Sequence, residues 1–217
     1  MASLIDFLAG TKVLVEVVSP INGKLTVVRD IPWGTYIKGG GLTQSGGVAK
    51  KVWETSLRKT KQKKGEVKKA LILGLGGGSI ANLIGRFWGE VEIIGVDIDP
   101  VIVELGQKYL GMPEVETIIG DAVEVIRNTK YEIRDTKYDL ICLDTYVEDQ
   151  FPKKLESETF LRNVKGLLAK DGVLVVNRLY YGEKRKEAEL FEKKLLKIFG
   201  KVERVYPEAN VMFIVME

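Results

Sequence analysis

The stretch LILGLGGGSIANLIG, residues 71–85, joins an apolar run to a helical pattern through a turn rich in glycine. Gly74, Gly76 and Gly78 form the pattern G-x-G-x-G where the predicted strand ends. Glycine adopts backbone conformations that other residues avoid, and it lets a ligand approach the main chain. The helix predicted over Ser79–Trp88 would add unpaired N–H groups and the positive end of its dipole. The stretch therefore predicts a ligand-binding turn, or a tight turn whose glycines serve packing alone.

The sequence around this turn alternates regularly between strands and helices. Strands are predicted over residues 70–75, 91–97, 115–121, 138–144 and 172–177, and helices over residues 79–88, 99–111, 122–128, 160–168 and 183–199. The last fifteen or so residues predict an antiparallel hairpin around the sequence PEAN. Such alternation implies right-handed crossovers and a mostly parallel sheet with helices on both faces.

The residues before this region have a different pattern. Residues 12–18 and 24–30 are β-rich and flank the turn signal SPINGK, which predicts a hairpin. Residues 34–47 continue as a glycine-punctuated strand or loop, and a helix is predicted over residues 48–57. We therefore divide the chain into a small β-rich segment, residues 1–57, and an α/β domain, residues 58–217.

Composition excludes several classes of site. The 217 residues contain no histidine and one cysteine, so histidine-based catalysis and a zinc site are not expected. No apolar run is long enough to cross a membrane, and the N-terminus lacks the basic start of a signal peptide, so we expect a cytoplasmic protein. The net charge of +3 does not indicate nucleic acid, and the basic run over residues 50–69 lacks interleaved aromatic residues.

Carboxylates stand at the ends of the predicted strands, where ligands bind in sheets of this type. Asp97 ends the second strand, about 20 residues after the glycines, where a carboxylate accepts hydrogen bonds from ribose hydroxyls. Asp99 is the better candidate for the cap of the next helix. Ser79 stands where the dinucleotide pattern G-x-G-x-x-G requires its last glycine, so a nicotinamide oxidoreductase is a distant alternative.

These residues resemble those of class I S-adenosylmethionine-dependent methyltransferases over about residues 69–217. The resemblance is closer to the spermidine synthase (polyamine aminopropyltransferase) branch, through LILGLGGGS, IIGVDIDPVIVELGQKYL, IIGDAVEVI and YDLICLDTYV. It implies a Rossmann-like, seven-stranded methyltransferase fold with an antiparallel last strand and a small N-terminal β-rich segment. It also implies a ligand, S-adenosylmethionine or its decarboxylated form.

The resemblance assigns roles along the chain. The three glycines would admit the methionine and ribose portion, Asp97 with its neighbour Ile98 the ribose, and Asp121 with Ala122 the adenine. The segment GGGLTQSGG resembles one in which a glutamine contacts the methionine part of the ligand, which would place Gln44 in the site.

Asp144 ends the fourth strand, the position that faces the reactive carbon in this fold. Aminopropyltransferases carry D-[ST]-[ST]-D-P there, whereas this chain reads DTYVEDQF, with Tyr146 and Val147 in place of a hydroxyl residue and the second acid. Polyamine amines are cationic at pH 7, so binding them and removing a proton calls for several fixed carboxylates. We assign catalysis to Asp144 and substrate contacts to Tyr146 and Glu148.

The sequence therefore predicts a transferase of the spermidine synthase type, with methyl transfer to a small-molecule acceptor as the main interpretation. A true aminopropyltransferase and a non-catalytic nucleoside-binding protein are the alternatives. The acceptor is not identified by the sequence, and a homodimer stays an open possibility.

Overall fold

The structure is a computed structural model that describes residues 10–128, 131–147 and 149–216. Two sheets account for all of its named strands. The first is antiparallel, with order β1-β2-β3-β4, and its strands are Lys12–Ser19, Gly23–Asp30, Gly34–Gly39 and Leu42–Gly46. The predicted hairpin over residues 12–30 is confirmed, and the segment predicted as a strand or loop forms two further strands.

The second sheet has seven strands in the order β10-β11-β9-β8-β5-β6-β7. Its strands β5 to β11 are Lys69–Leu73, Glu92–Asp97, Glu116–Ile119, Tyr138–Leu143, Leu168–Leu179, Glu203–Val205 and Asn210–Met216. Strands β5 to β9 pair in parallel, whereas β11 pairs antiparallel with both β9 and β10. The predicted mostly parallel sheet with an antiparallel last strand is confirmed.

Six α-helices are named among the described residues. Helices α1 to α6 are Gly47–Lys63, Ser79–Trp88, Pro100–Tyr109, Ala122–Arg127, Glu158–Leu167 and Lys184–Phe199. The central strand β5 contributes to cores on both faces of the sheet, since Leu71 and Leu73 belong to one cluster and Ala70 and Ile72 to the other. This alternation follows from the two-residue period of a strand. No helix in the described part of the chain is both long and apolar enough to cross a membrane.

Helix α1 is longer than the sequence predicts, because its buried face contains polar residues. Burial continues beyond Leu57 to Thr60, and both Ser56 and Thr60 are fully buried. The Ser56 hydroxyl donates to the Val52 carbonyl at 3.2 Å, and the Thr60 hydroxyl donates to the Ser56 carbonyl at 3.0 Å. Hydrogen bonds to the helix backbone satisfy both hydroxyls, so this polar face can be buried. The sequence shows no apolar pattern there that would predict the burial. The division at residue 57 stays a proposal, and α1 runs through that position.

A buried carboxylate joins the small sheet to the large one. Asp99 is the N-cap of α3, as predicted, and its Oδ1 accepts from the Val101 amide at 2.9 Å. Its Oδ2 accepts from the Ser19 hydroxyl and from Asn22 Nδ2, both at 2.5 Å. Three donors therefore offset the cost of burying this side chain, which is fully buried. The turn between β1 and β2 is thereby fixed beside the carboxyl end of β6.

Candidate active site

The parallel register places three predicted site residues side by side. Leu73 pairs with Val96 on one side and with Leu143 on the other, so the residues that follow β5, β6 and β8 meet at one edge. A cavity of about 220 Å³ opens at this edge, beneath β4 and α1. Seven of the predicted residues line it: Gln44, Gly74, Gly76, Asp97, Ile98, Asp144 and Tyr146. The lining does not include Gly78, Asp121 or Ala122, and Glu148 falls outside the described residues.

The three glycines exclude side chains for different reasons. All have positive φ, of 95° at Gly74, 54° at Gly76 and 79° at Gly78. A Cβ on Gly74 would lie 2.2 Å from the carbonyl oxygen of Asp144, and one on Gly78 would lie 2.2 Å from Met112 Cγ. A Cβ on Gly76 would meet no atom closer than 3.8 Å. Two glycines thus serve packing within the protein, and Gly76 leaves room in the cavity.

Asp97 presents a carboxylate held by the backbone. Its Oδ2 accepts from the Gly76 amide at 2.7 Å, and its Oδ1 accepts from the Asp99 amide at 2.9 Å. Burial nevertheless raises the pKa of Asp97 to about 6. A carboxylate offers about four lone-pair positions, so acceptor capacity remains for a ligand. Ile98 beside it is 42% exposed and offers an apolar surface at the same place.

Two serines hold the small sheet against the glycine turn. Ser45 Oγ accepts from the Gly77 amide at 3.1 Å, and Ser79 Oγ accepts from the Gly46 amide at 2.8 Å. The two hydroxyls lie 2.9 Å apart and share a hydrogen bond. Ser79, which distinguishes this turn from the dinucleotide pattern, therefore docks β4 over the cavity. Gln44 is the residue before Ser45 in β4, and its Nε2 donates to the Gly39 carbonyl at 3.1 Å.

Asn22 is a cavity residue that the sequence did not reveal. Its side chain is buried, lines the cavity and donates from Nδ2 to Asp99, as described above. Its Oδ1 is buried and has no hydrogen-bond partner among the described residues. An unsatisfied buried acceptor is costly, so this oxygen is available to accept a hydrogen bond from a molecule in the cavity. In the sequence Asn22 belongs to a turn signal, where asparagine is common for conformational reasons.

Asp144 lies at the bottom of the cavity in a network of hydrogen bonds. Its Oδ2 accepts from Trp53 Nε1 at 2.5 Å, and its Oδ1 accepts from Asn177 Nδ2 at 2.8 Å. Asn177 Oδ1 in turn accepts from Asn210 Nδ2 at 2.8 Å. Burial raises the pKa of Asp144 even though both donors oppose the shift. Neither Trp53 nor the asparagines could be found from local sequence signals, because they come from other elements.

Tyr146 forms a wall of the same region. Its hydroxyl accepts from the Leu179 amide at 2.8 Å, and its ring packs edge-on against Phe151 at 5.5 Å between centroids. Burial raises the pKa of this phenol well above its ordinary value. The hydroxyl is thus engaged with the backbone, and the side chain shapes the cavity.

Asp121 and Ala122 lie outside the cavity lining. Asp121 is the N-cap of α4, where its Oδ1 accepts from the Val123 amide at 3.0 Å. Its Oδ2 forms an ion pair with Lys154. Ala122 is 8% exposed. Their assignment to adenine binding stays a prediction.

The charged side chains of the cavity are all acidic. Among the described residues of its lining, Asp97, Asp144 and Glu208 are acids and none is Lys or Arg. Glu208 comes from the turn between β10 and β11, and its Oε1 lies 2.7 Å from Lys51 Nζ. Asp149, an acid in the loop after Asp144, forms an ion pair with Lys184 at 3.5 Å and is not part of the lining.

The model of the spermine/spermidine synthase domain matches residues 56–214, which is most of the chain. The chain belongs to the spermine/spermidine synthase family.

Individual relatives agree with this family. A polyamine aminopropyltransferase of Vibrio vulnificus is 36% identical over 110 residues, which cover 49% of this chain and 36% of that protein. One from Neisseria meningitidis is 29% identical over 143 residues, covering 64% of this chain and 51% of that protein. A mouse protein named eEF1A lysine and N-terminal methyltransferase is 27% identical over 149 residues, covering 64% of this chain and 21% of that protein. The matches thus span about half or less of each relative.

Solved structures share the fold. Spermidine synthase from Thermotoga maritima has a TM-score of 0.75 at 18% identity, covering 94% of this chain and 72% of that chain. Human methyltransferase-like protein 13 in complex with SAH has a TM-score of 0.60 at 20% identity, covering 77% of this chain and 80% of that chain. The fold is therefore that of spermidine synthases and methyltransferases, as the sequence predicts.

This member departs from the spermidine synthase pattern after Asp144. Val147 stands at the position of the family's second acid, and its backbone forms a bridge with Gln150 through two hydrogen bonds of 3.0 and 3.1 Å. The departure is thus accommodated by a local turn, and the cavity receives its third acid from the C-terminal hairpin instead.

Proposed function

We propose that this protein transfers an aminopropyl group from decarboxylated S-adenosylmethionine to an amine. The observation that carries the proposal is the charge of the cavity, where the described lining contains three acids and no Lys or Arg. S-adenosylmethionine carries a carboxylate that an acidic site without cations disfavours. Its decarboxylated form lacks that carboxylate and carries a positive charge at each end of the aminopropyl chain, on the sulfonium and on the amine. These charges complement the acids of the cavity. This choice replaces methyl transfer, the main interpretation of the sequence, with its first alternative.

The names of the relatives support the same choice. The first relatives are named polyamine aminopropyltransferases, whereas the name of the mouse protein is that of a methyltransferase. The matched segments cover only part of each of these proteins, so their names alone do not decide the reaction of this chain.

The nucleoside would occupy the side of the cavity beneath β4. Asp97 would accept hydrogen bonds from ribose hydroxyls, and the unsatisfied Oδ1 of Asn22 would accept another from the same nucleoside. Gly76 leaves room for the ligand against the main chain. Gln44 would contact the aminopropyl end. Ile98 would pack against the nucleoside, with Asp121 and Ala122 nearer the adenine.

The donor would supply an activated carbon, attached to a sulfonium that is a good leaving group. The acceptor nitrogen forms a bond to that carbon while the carbon–sulfur bond breaks and leaves a neutral thioether. The nitrogen must lose one proton, and Asp144 would receive it. Its raised pKa makes it a stronger base than an ordinary aspartate. Trp53 and Asn177 fix the orientation of its two oxygens, which favours an aligned attack.

Methyl transfer is the second candidate, and the loop after Asp144 favours it. A methyltransferase needs an oriented acceptor and one base, whereas a polyamine acceptor needs additional anions. Val147 and Tyr146 leave this loop without the second acid of the aminopropyltransferase pattern among its described residues. The fold is common to both reactions.

Identification of the thioether product would separate these functions. The protein is incubated with 1,4-diaminobutane and either donor, and the nucleoside product is identified by mass spectrometry. We expect methylthioadenosine from the decarboxylated donor, and only background product from the Asp144→Asn variant. Formation of S-adenosylhomocysteine from S-adenosylmethionine would support methyl transfer instead. Donor binding without formation of either thioether would support a non-catalytic nucleoside-binding protein.

A further inference from the structure

Glu208 has an unusual backbone conformation at the mouth of the cavity. Its φ is 52°, and Asp171 is the only other non-glycine residue in the described part of the chain with positive φ. This left-handed conformation is unfavourable for an L-residue other than glycine, asparagine or aspartate. The turn is held on both sides, since the Asn210 amide donates to the Pro207 carbonyl at 3.0 Å and the Tyr180 amide donates to the Ala209 carbonyl at 2.7 Å. The fold thus maintains a strained turn that presents a carboxylate to the cavity.

The same turn is connected to the reacting carboxylate. Asn210, two residues after Glu208, donates to Asn177, and Asn177 donates to Asp144. All four side chains line the one cavity. The turn that carries Glu208 is therefore linked to Asp144 by a short polar network.

The present partner of Glu208 is a cation that a ligand can replace. Lys51 Nζ lies 2.7 Å from Glu208 Oε1, and the two side chains are 57% and 40% exposed. Ion pairs with this exposure contribute little to stability. Lys51 also lies over the ring of Trp33, with its Nζ 5.6 Å from the ring centroid. This contact with Trp33 would remain available to Lys51 when a ligand occupies its carboxylate partner, Glu208.

We propose that Glu208 binds the distal ammonium group of the acceptor, and that this group displaces Lys51. The inference rests on the proposed aminopropyl transfer to a diamine or longer polyamine, and it assigns the residue of this chain that binds the far end of that acceptor. Asp144 receives the proton of the reacting nitrogen at the bottom of the cavity, and Glu208 provides an anion at its mouth. The C-terminal hairpin thereby supplies the acid that is missing at position 147. Because a monoamine has no distal ammonium group for Glu208 to bind, it is a poorer acceptor.

The proposal is tested by substituting each residue of the Glu208–Lys51 ion pair, because the two substitutions should change the KM for the diamine in opposite directions. Glu208→Gln is expected to raise the KM for 1,4-diaminobutane about tenfold, because a charge-assisted hydrogen bond is lost. Lys51→Met removes the competing cation and is expected to lower that KM by about two- to fivefold. Neither variant changes the KM for butylamine, the matched monoamine. Glu16→Gln, which breaks the exposed Glu16–Lys24 pair at 2.8 Å, serves as control and changes no kinetic constant.

A purely structural ion pair would give a different pattern. Both variants would then lower the melting temperature and leave the KM for the diamine unchanged, or would alter it equally for the diamine and the monoamine. Either pattern overturns the assignment of Glu208. Glu208→Asn suits the left-handed backbone and repeats the test if the glutamine variant is unstable. Failure of the proposed function is separately visible, since the unmodified protein would then form no methylthioadenosine, and the acceptor assignment falls with it.

Discussion

The two sides of the cavity are built in different ways. On the side proposed for the nucleoside, Gly74 and Gly76 follow β5, Asp97 ends the adjacent parallel strand β6, and backbone amides hold its carboxylate. On the acceptor side, Asp144 depends on Trp53, 91 residues away in the chain, and on Asn177, 33 residues away. The first arrangement is specified by the strand–turn–helix pattern itself. The second depends on contacts between distant elements, so it can change between family members while the fold is retained.

The largest effect is expected on the acceptor side from Asp144→Asn. The amide cannot take a proton from the acceptor, so turnover should fall about 10²–10⁴-fold, the usual contribution of a general base. Affinity for the decarboxylated donor should stay within about twofold, because this residue belongs to the other side of the cavity. Steady-state kinetics and calorimetry measure the two quantities. An equal loss of turnover and donor affinity would show that the two sides are not separable.

Gly74→Ala and Gly76→Ala form a matched pair on the nucleoside side. Alanine at residue 74 would place a Cβ 2.2 Å from a backbone oxygen, whereas at residue 76 the nearest atom is 3.8 Å away. We expect Gly74→Ala to lower the free energy of unfolding by about 3 kcal/mol or more, and Gly76→Ala by about 1–2 kcal/mol from its positive φ alone. Donor affinity should nevertheless fall in both. Denaturant unfolding and calorimetry test this, and equal destabilisation would contradict the distinct roles of the two glycines.

Asp97 should make donor binding depend on pH. Its pKa in the free protein is raised to about 6, so it becomes protonated below that pH and loses acceptor strength. Donor affinity should fall about tenfold between pH 7.5 and pH 5, and this dependence should vanish in Asp97→Asn. The folded protein binds this proton more tightly than the unfolded chain, whose ordinary value is 3.8. The stability that the proton contributes to the free protein is therefore lost as pH rises through about 6.

These two effects of pH have opposite signs and can be measured separately. Thermal unfolding without ligand reports the stability, and calorimetry at the two pH values reports the affinity. A donor affinity that does not change with pH would contradict the role of Asp97 as a ribose acceptor.

Trp53→Phe should produce the smallest change, confined to the acceptor side. Phenylalanine keeps an aromatic ring but removes the indole N–H that donates to Asp144. Because that hydrogen bond favours the ionised carboxylate, its loss raises the pKa of Asp144 further. The acidic limb of the pH profile of kcat/KM should move to higher pH by up to about one unit. A role in packing alone would lower stability and leave the position of this limb unchanged.

The sequence predicted the elements whose signals are local. The bounds of the helix Ser79–Trp88, the cap at Asp99 and the order of strands and helices are all confirmed, because glycines, caps and hydrophobic period act within a few residues. Residues 58–63 were not predicted as part of α1, since its buried face includes polar side chains that bond back to the helix.

Two predicted site residues that do not line the cavity share one property. Gly78 and Asp121 have local roles in the backbone, one preceding α2 in a left-handed conformation and the other capping α4. A residue type that suits a ligand and also suits a helix terminus cannot be assigned from spacing alone. Asn22 shows the converse, because a turn asparagine became a cavity residue only through Asp99, 77 residues away.

Calorimetry with the two sulfonium donors tests most directly whether the acidic cavity selects a donor without a carboxylate. At pH 7.5 we expect decarboxylated S-adenosylmethionine to bind at least about tenfold more tightly than S-adenosylmethionine, a difference of about 1.4 kcal/mol. The difference should remain in Glu16→Gln, which breaks an exposed ion pair. Equal affinity for the two donors, or tighter binding of S-adenosylmethionine, would contradict aminopropyl transfer as the function of this protein.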